Sequence, residues 1–524
     1  MLKRLAIASL GIASILLTSM PAISAVPSTE GPEATLKAPK LVPEDSISTW
    51  IPSESAPGLG LAVNLVYPEK ARYPDGAPVA VVAPGGVTAD GLSFTMHAAQ
   101  VGCIEVRFAF PGGGSSKFHS GGIYDYRGTQ SQLALKDVLL FAAGKIADTK
   151  GHYITDLVPM KVEKSNVGLV GWSNGGNVAM VTLGKYADEL KSVVSWVLFY
   201  ESPIGNLFYP PNLGGIHDLL LNKHYRQGSA ATGSCNVDWK KLTWWQNGKR
   251  TGGERKKLGE VEIPGVLYFD ENGNGVWDES VEYALNYATD VGLEKQIYPP
   301  EVAITLETRH MFDKTVEDIP LDEEGNPIPD KKKKEPPKKK FLQKAEEPKP
   351  EKKKMKHIVD WPKNMATVRE SEAYFQDRDG SAYYAKIAKE YPNLMIIILA
   401  TVIDHLQKQP DHPHIAMQYN SWLLNKAHWV KINPEGCYLA QITGLNFENF
   451  SNNRPNASID ASMIATYLEQ EGTTKDYVMA EGAVAELADR RRSKISSFPL
   501  PAPITLYYNR LNPPPPPPPP KKEE

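Results

Sequence analysis

Short apolar runs separated by turn-forming residues recur along the first two hundred positions of the chain. Five of these runs are almost continuously apolar and are predicted to be strands: residues 61–67, 79–83, 103–110, 166–170 and 193–200. Apolar residues at helical spacing between them predict helices over 91–101, 133–147 and 177–190. Strands that are apolar on both faces and alternate with helices indicate a mostly parallel sheet covered by helices on both faces.

The same alternation returns in the last third of the chain. It predicts a long helix over 368–391, a core strand over 394–402, a helix that ends near 427 and a last strand over 429–432. The segment between the two α/β stretches is more polar and richer in turns, although residues 301–313 have helical spacing. We therefore expect an α/β core in two parts, 58–203 and 361–512, with a cap insertion over 204–313.

The remaining segments differ in composition from the core. Residues 1–25 have the organisation of a signal peptide, because Lys3 and Arg4 precede a short apolar run and a small-residue end. This run is short for a bilayer, so we expect a secreted or periplasmic protein without a transmembrane span. Three further segments are predicted to lack a packed core: an irregular segment over 26–57, a Lys/Pro-rich disordered loop over 314–360 and a polyproline tail over 513–524.

The charge is distributed unevenly along the chain. Residues 331–356 contain thirteen lysines and four glutamates, so the rest of the chain is acidic although the formal net charge is −3. An acidic folded part argues against nucleic-acid binding, and Lys331 to Lys356 offer only a weak contact with an anionic surface. With three cysteines the chain is not a disulfide scaffold, and the sequence leaves open whether Cys235 pairs with Cys437.

One stretch combines a strand, a tight turn and a helix start around a serine. It reads Gly171-Trp172-Ser173-Asn174-Gly175, a G-x-S-x-G pattern that follows the predicted strand over 166–170 and precedes a predicted helix. Small residues on both sides of Ser173 allow the sharp bend that would expose its hydroxyl. The sequence thus predicts a nucleophilic serine at the end of a central strand.

Together with Pro84-Gly85-Gly86 after an earlier strand, this pattern resembles the α/β-hydrolase superfamily, in particular its extracellular esterase-like and prolyl-oligopeptidase-like branches. The resemblance covers residues 79–201 and extends more loosely over 366–432. It implies that Ser173 is the nucleophile and that the oxyanion hole uses backbone N–H groups of Asn174 and of Gly86 or Val87.

The implied activity is that of a secreted serine hydrolase. We expect it to cleave a small-molecule or polymer-borne ester, as carboxylesterases or acyl-carbohydrate esterases do, through an acyl-enzyme and without an organic cofactor. Two alternatives stay open: a prolyl-oligopeptidase-like peptidase, and a catalytically degenerate fold that acts as a binding or envelope protein.

The other two members of a catalytic triad are less well defined. The family places the acid after the seventh strand and the histidine after the eighth, and the strand over 394–402 leads to Asp404, which we prefer to Asp278. No histidine follows the strand over 429–432, so the sequence departs from the family pattern there. The candidates for the base are His310, His405, His412 and His414, and His414 is preferred because Pro413 fixes the preceding loop and a helix begins there.

A second motif lies in the predicted cap. Residues 270–278 resemble an EF-hand-type calcium loop, with oxygen ligands at alternate positions and a glycine at the sixth. The predicted ligands are Asp270, Asn272, Asn274, the carbonyl of Val276 and Asp278. The twelfth position is Val281, so Glu279 or Glu282 would have to supply the missing carboxylate. The sequence thus predicts a structural Ca²⁺ site that lacks one ligand of the pattern.

Overall fold

The protein is described by a computed structural model that divides the chain into two units, Met1–Leu41 and Val42–Glu524. The described residues lie in the second unit and include most of both predicted core parts. They are 44–86, 88–202, 204, 225–229, 234–237, 241–245, 248–249, 262–263, 265–278, 281–282, 284–285, 288–290, 295–298, 300–317, 355–401, 413–435 and 476–494. The predicted signal peptide, most of the Lys/Pro-rich loop and the polyproline tail lie outside these residues.

An eight-stranded sheet forms the centre of the described chain. Its strands, numbered in chain order, are β1 Glu44–Ile51, β2 Leu61–Pro68, β3 Ala77–Ala83, β4 Ile104–Phe108, β5 Val162–Trp172, β6 Val194–Tyr200, β7 Met395–Leu399 and β8 Trp429–Ile432. The spatial order is β1-β2-β4-β3-β5-β6-β7-β8. The pairs β1–β2 and β2–β4 are antiparallel and the other five are parallel. The prediction of a mostly parallel sheet is therefore confirmed.

Helices cover both faces of this sheet. The helices of the described residues are α1 Thr129–Ala142, α2 Gly175–Lys185, α3 Pro300–Thr308, α4 Val368–Arg378, α5 Tyr384–Glu390, α6 Pro413–Leu424 and α7 Asp476–Ser493, with single helical turns at Ala98–Val101, Ile154–Leu157, Ala187–Leu190 and Gly380–Tyr383. Alternate residues of each strand face opposite ways, so Val81 belongs to the apolar cluster that includes residues of α1, α2, α5 and α6, while Val82 belongs to the cluster that includes residues of α7. None of the described helices combines the length and apolar character needed to cross a bilayer.

The segment between the two core parts forms small antiparallel strand pairs outside the central sheet. The pairs are Tyr225–Ser229 with Ser234–Val237, Leu242–Trp245 with Val266–Phe269, Gly248–Lys249 with Glu262–Ile263, Ala288–Asp290 with Lys295–Ile297, and Asp313–Glu317 with Met355–Val359. Trp245 and Trp277 are buried in a small apolar cluster. These two tryptophans therefore stabilise the insertion itself.

Two segments predicted to be irregular contain strands. Residues 26–57 include β1, which pairs along its whole length with β2 at the edge of the sheet. Its mixed polar sequence, Glu-Asp-Ser-Ile-Ser-Thr-Trp-Ile, suits an edge strand that is exposed on one side, and this pattern is easily mistaken for a loop. The ends of the predicted disordered loop over 314–360 also form the strand pair Asp313–Glu317 with Met355–Val359.

Two predicted helices are wrong in extent. Over 91–101 only Ala98–Val101 is helical, because the buried Glu105 carboxylate accepts the N–H groups of Met96 and Ala98 (3.2 and 2.7 Å). Over 368–391 the chain forms α4 and α5 with a break at Gly380. Gly380 donates its N–H to Asn177 Oδ1 (3.1 Å), and a Cβ there would lie 2.8 Å from that of Met180. The break thus lets the chain pack closely against α2.

Candidate active site

Ser173 occupies a strained turn between β5 and α2. Its φ is 51°, in the left-handed region that a non-glycine residue rarely adopts, and only 5% of the residue is exposed. Its N–H donates to the carbonyl of Tyr200 (2.9 Å), which anchors the turn to the end of β6. Such strain is tolerated where the surrounding structure fixes the residue, and this conformation is that of the predicted nucleophile turn.

The turn depends on the absence of side chains at two neighbouring positions. A Cβ at Gly85 would lie 2.8 Å from the Cβ of Ser173, and a Cβ at Gly175 would lie 2.1 Å from the carbonyl oxygen of Ala83. Both contacts are closer than any real Cβ allows. The structure therefore brings the loop after β3 directly against Ser173, as the two glycine-rich motifs predict.

Two backbone N–H groups near Ser173 correspond to the predicted oxyanion hole. In the part of the chain that the structure describes, neither the N–H of Gly86 nor that of Asn174 donates to a protein acceptor. Gly86 has φ 64°, and its carbonyl accepts from the Asn174 side-chain amide (3.3 Å). Backbone donors without a protein acceptor at the end of a strand next to a nucleophile are what an oxyanion hole requires. The third predicted donor, Val87, lies outside the described residues.

A buried arginine lies behind the same loop. The side chain of Arg127 donates from Nη2 to the carbonyls of Gly85 (2.7 Å) and Gly86 (3.3 Å). Arg127 is 3% exposed, and burial lowers the pKa of its guanidinium to about 10, which leaves the group charged at neutral pH. The sequence motifs do not point to this residue, because its role depends on a contact between positions about forty residues apart.

A buried carboxylate follows β6. Glu201 is 1% exposed, has φ 46° and accepts a hydrogen bond from the hydroxyl of Thr401, which follows β7. Its predecessor Tyr200 pairs with Trp172 in the sheet, so Glu201 and Ser173 follow paired residues of adjacent parallel strands. The sequence signal for Glu201 was its position at a strand end, but a longer apolar strand pointed to Asp404 as the acid instead.

Of the acid and base candidates that follow β7, the structure describes the position of only one. Asp404, His405 and His412 lie outside the described residues. His414 lies in the first turn of α6, which follows β7. One helical turn later, Gln418 of α6 donates to the carbonyl of Ser202, two residues after β6. The backbone thus places the start of α6 at the same sheet edge as Ser173.

The two alternatives from the insertion are not placed at this edge by the structure. His310 is exposed, and its Nδ1 lies 2.9 Å from Asp313 Oδ2. The strand before Asp278, Val266–Phe269, pairs with Leu242–Trp245 and is not part of the central sheet. Asp278 therefore does not follow a strand of the central sheet, whereas β7, the strand that leads to the preferred Asp404, is part of it.

The calcium-type loop has oxygen atoms turned toward its own backbone. Asp270 accepts the N–H groups of Gly273 (2.8 Å) and Gly275 (3.1 Å), and Asn274 Oδ1 accepts that of Val276 (2.7 Å). Glu282, 5% exposed, accepts the N–H groups of residues at both ends of the loop. Among the described residues, no group of three or more Asp, Glu, His or Cys side chains is arranged to hold a metal ion. Calcium binding therefore stays a prediction from the sequence pattern.

No protein-family model and no curated protein sequence matches this chain at a significant level. Solved structures that match part of it include an esterase from Pyrobaculum calidifontis (15% identity, 32% of this chain and 47% of that chain, TM-score 0.22). Brefeldin A esterase, a bacterial homologue of human hormone-sensitive lipase, matches at 16% identity (32% and 42%, TM-score 0.23). Prolyl oligopeptidase B from Galerina marginata matches at 17% identity (31% and 21%, TM-score 0.23). The match spans less than half of each of these chains.

Proposed function

We propose that this protein is a serine hydrolase that cleaves an ester through an acyl-enzyme formed on Ser173. The observation that carries the proposal is the strained, buried Ser173 with the N–H groups of Gly86 and Asn174 beside it. A serine at φ 51° costs about 1–3 kcal/mol and persists only where the fold fixes it. A nucleophile turn gives a physical reason for that cost.

In the proposed reaction, Ser173 Oγ forms a bond to the ester carbonyl carbon while a histidine takes the hydroxyl proton. The carbonyl oxygen becomes an oxyanion and accepts the N–H groups of Gly86 and Asn174. The bond to the alkoxy group then breaks, and the histidine returns the proton to the leaving alcohol. Water attacks the acyl-enzyme by the same steps, releases the acid and restores Ser173.

We propose His414 as the proton acceptor and Asp404 as the carboxylate that orients it. Support for His414 comes from the position of its backbone at the start of α6, and support for Asp404 comes from its position after β7. Glu201 is a second carboxylate at this sheet edge, and its contact with Thr401 ties the ends of β6 and β7 together. The effect of Asp404→Asn and of Glu201→Gln on the pH profile of kcat/KM distinguishes which carboxylate orients the base.

The nucleophile is tested with a fluorophosphonate probe followed by peptide mapping. We expect one adduct, on Ser173, in the wild type and none in Ser173→Ala. Ser115→Ala is the matched control, since Ser115 is an exposed serine on the loop after β4. Equal labelling of wild type and Ser173→Ala would contradict the proposal and favour a binding protein with a hydrolase-like fold.

The class of substrate is tested by comparing short acyl esters with prolyl-peptide substrates. We expect ester hydrolysis to dominate and to disappear in Ser173→Ala. Dominant cleavage of the prolyl peptides, with the same serine dependence, would identify the peptidase alternative while keeping the nucleophile.

We also propose that the protein is exported, on the basis of residues 1–25, and recovery of activity outside the cytoplasm would test this.

We further propose that residues 270–278 bind Ca²⁺ in a structural role, with Asp270, Asn272, Asn274, Val276 and Asp278 as ligands and Glu282 in place of the missing twelfth ligand. Bound Ca²⁺ would stabilise the folded insertion by mass action. We expect a chelator to lower the Tm of the wild type but not that of Asp270→Ala. The exposed Glu54 provides the control Glu54→Ala, which should keep the wild-type response. A wild-type Tm that does not respond to chelator or added Ca²⁺ would contradict the site.

A further inference from the structure

We propose that Arg127 is a positioning residue that holds the loop after β3 so that the Gly86 N–H faces the oxyanion formed at Ser173. The inference rests on the proposed hydrolase function and adds a residue that the triad and the oxyanion motifs do not include. It is carried by the burial of Arg127, by its bonds to this loop and by the backbone conformation that brings it there.

Arg127 sits in an unfavourable backbone conformation. Its φ is 67° and that of Tyr126 is 54°, so two consecutive non-glycine residues are left-handed just before α1. Such a conformation is unfavourable for a non-glycine residue and persists only where the surrounding structure enforces it. The strain indicates that the fold requires the Arg127 side chain to be in this position.

The guanidinium is directed at carbonyl groups instead of carboxylates. Nη2 lies 2.7 Å from the carbonyl oxygen of Gly85, 3.3 Å from that of Gly86 and 3.4 Å from that of Thr88. The carbon of the guanidinium lies 4.0 Å from the centre of the Phe110 ring. In the described part of the chain Arg127 forms no ion pair, and its Nε and Nη1 have no hydrogen-bond partner.

This arrangement is expensive for stability alone. Burying a charge without a carboxylate in direct contact is unfavourable, and two unsatisfied donors add to that cost. A residue that served only to fill space here could be apolar and would avoid both penalties. The charged guanidinium instead donates a strong, directional hydrogen bond to the carbonyl of Gly85.

The geometry of the peptide group explains how the hydrogen bond from Arg127 to the Gly85 carbonyl orients the N–H of Gly86. In a planar trans peptide the C=O and the following N–H point in opposite directions. Because Arg127 holds the Gly85 carbonyl on its own side, the N–H of Gly86 points away from Arg127. This N–H has no protein acceptor within the described residues, and the loop that carries it lies against Ser173.

A second arginine fixes the segment that carries Arg127. Arg378 of α4 donates from Nη2 to the carbonyl of Asp125 (2.8 Å) and from Nε to that of Tyr126 (2.9 Å). Gln132 of α1 donates to the carbonyl of Arg127 (3.0 Å). The position of Arg127 is thus set by both parts of the core.

The test compares an ester with its thionoester, in which sulfur replaces the carbonyl oxygen. A sulfur anion accepts hydrogen bonds more weakly, so loss of an oxyanion donor slows the ester much more than the thionoester. We expect Arg127→Met to lower kcat/KM for the ester about 10²-fold through kcat, and to lower the ester-to-thionoester ratio about tenfold or more. Arg127→Lys, which keeps a charged donor, should fall between Arg127→Met and the wild type.

Arg72→Met is the matched control, because Arg72 also has a buried side chain but lies at the opposite edge of the sheet, where it pairs with Asp489. We expect it to lose stability and to keep the wild-type ratio. Equal losses for ester and thionoester in a folded Arg127 variant would overturn the positioning role, and Arg127→Lys decides the question if Arg127→Met does not fold. A wild type that hydrolyses neither substrate would instead overturn the proposed function, and the inference with it.

Discussion

The polar groups at the two ends of the parallel strands of the central sheet differ in how they are paired. We call the end where β3 begins the amino edge, and the end where Ser173 follows β5 the carboxyl edge. At the amino edge, Arg72 donates to both carboxylate oxygens of Asp489 (2.7 Å from Nε) and Tyr73 donates to the same carboxylate (2.7 Å). Arg492 reaches Asp75 (2.6 Å), just before β3. These charges are paired, and the pairs fasten helix α7 to the sheet.

At the carboxyl edge the polar groups are strained or left without protein partners. Ser173 and Glu201 have left-handed φ, and two N–H groups beside Ser173 have no acceptor among the described residues. Arg127 is buried there without a carboxylate partner in the same part of the chain. An unsatisfied buried polar group such as the guanidinium of Arg127 requires an explanation, and a function is one such explanation. This difference is what the proposed function predicts, with paired charges that stabilise the amino edge and polar groups that are held for a substrate at the carboxyl edge.

The largest effect is expected from breaking the amino edge. Asp489→Ala leaves the charge of Arg72 buried without a partner and should lower the free energy of unfolding by about 3–5 kcal/mol. Because the change is at the far edge from Ser173, kcat/KM of the remaining folded protein should stay at the wild-type value. Chemical denaturation and ester hydrolysis measure the two quantities. A loss of kcat/KM beyond the unfolded fraction would break the separation of the edges.

The reciprocal change at the carboxyl edge is Gly85→Ala. The added Cβ would lie 2.8 Å from that of Ser173 and must displace the turn or the loop. We expect kcat/KM for an ester to fall on the order of 10²-fold, about 3 kcal/mol in the activation free energy. Gly151→Ala is the control, since a Cβ there meets nothing within 4 Å although its φ of 87° carries backbone strain. Equal activity losses in the two variants would argue against a specific effect at Ser173.

A smaller, pH-dependent effect is expected from Glu481 of α7, which qualifies the picture of a fully paired amino edge. Burial, with Glu105 and Glu44 nearby, raises the pKa of Glu481 to about 7. Since this folded pKa lies above the unfolded value, the native state holds a proton that the unfolded state loses, and stability falls as pH rises from about 4.5 to 7. Glu481→Gln should therefore raise stability by roughly 2 kcal/mol at pH 8 and change it little at pH 4. A stability difference independent of pH would contradict the raised pKa.

The sequence predicted the elements whose signal is local. β3 is a continuously apolar run, and β8 is apolar except for Lys431 and has the predicted bounds, between the polar residues His428 and Asn433. The turn at Ser173 was predictable for the same reason, since five consecutive residues contain the small neighbours that its bend requires.

What could not be predicted depends on contacts between distant positions. The edge strand β1 has too few apolar residues to stand out without its partner β2. The break at Gly380 becomes intelligible only from its contact with Asn177, and the role of Arg127 only from its contact with Gly85. The sequence could not select the base among the histidines for the same reason, because a triad is assembled in space and its spacing along the chain is not fixed.

The most direct test of the central claim is a crystal structure of the protein after reaction with a fluorophosphonate. We predict a phosphonyl group on Ser173 Oγ whose non-bridging oxygen lies about 2.7–3.1 Å from the backbone nitrogens of both Gly86 and Asn174. A phosphonyl group on another residue, or an oxygen on Ser173 that faces solvent and contacts neither nitrogen, would contradict the claim that the carboxyl edge is a hydrolase active site.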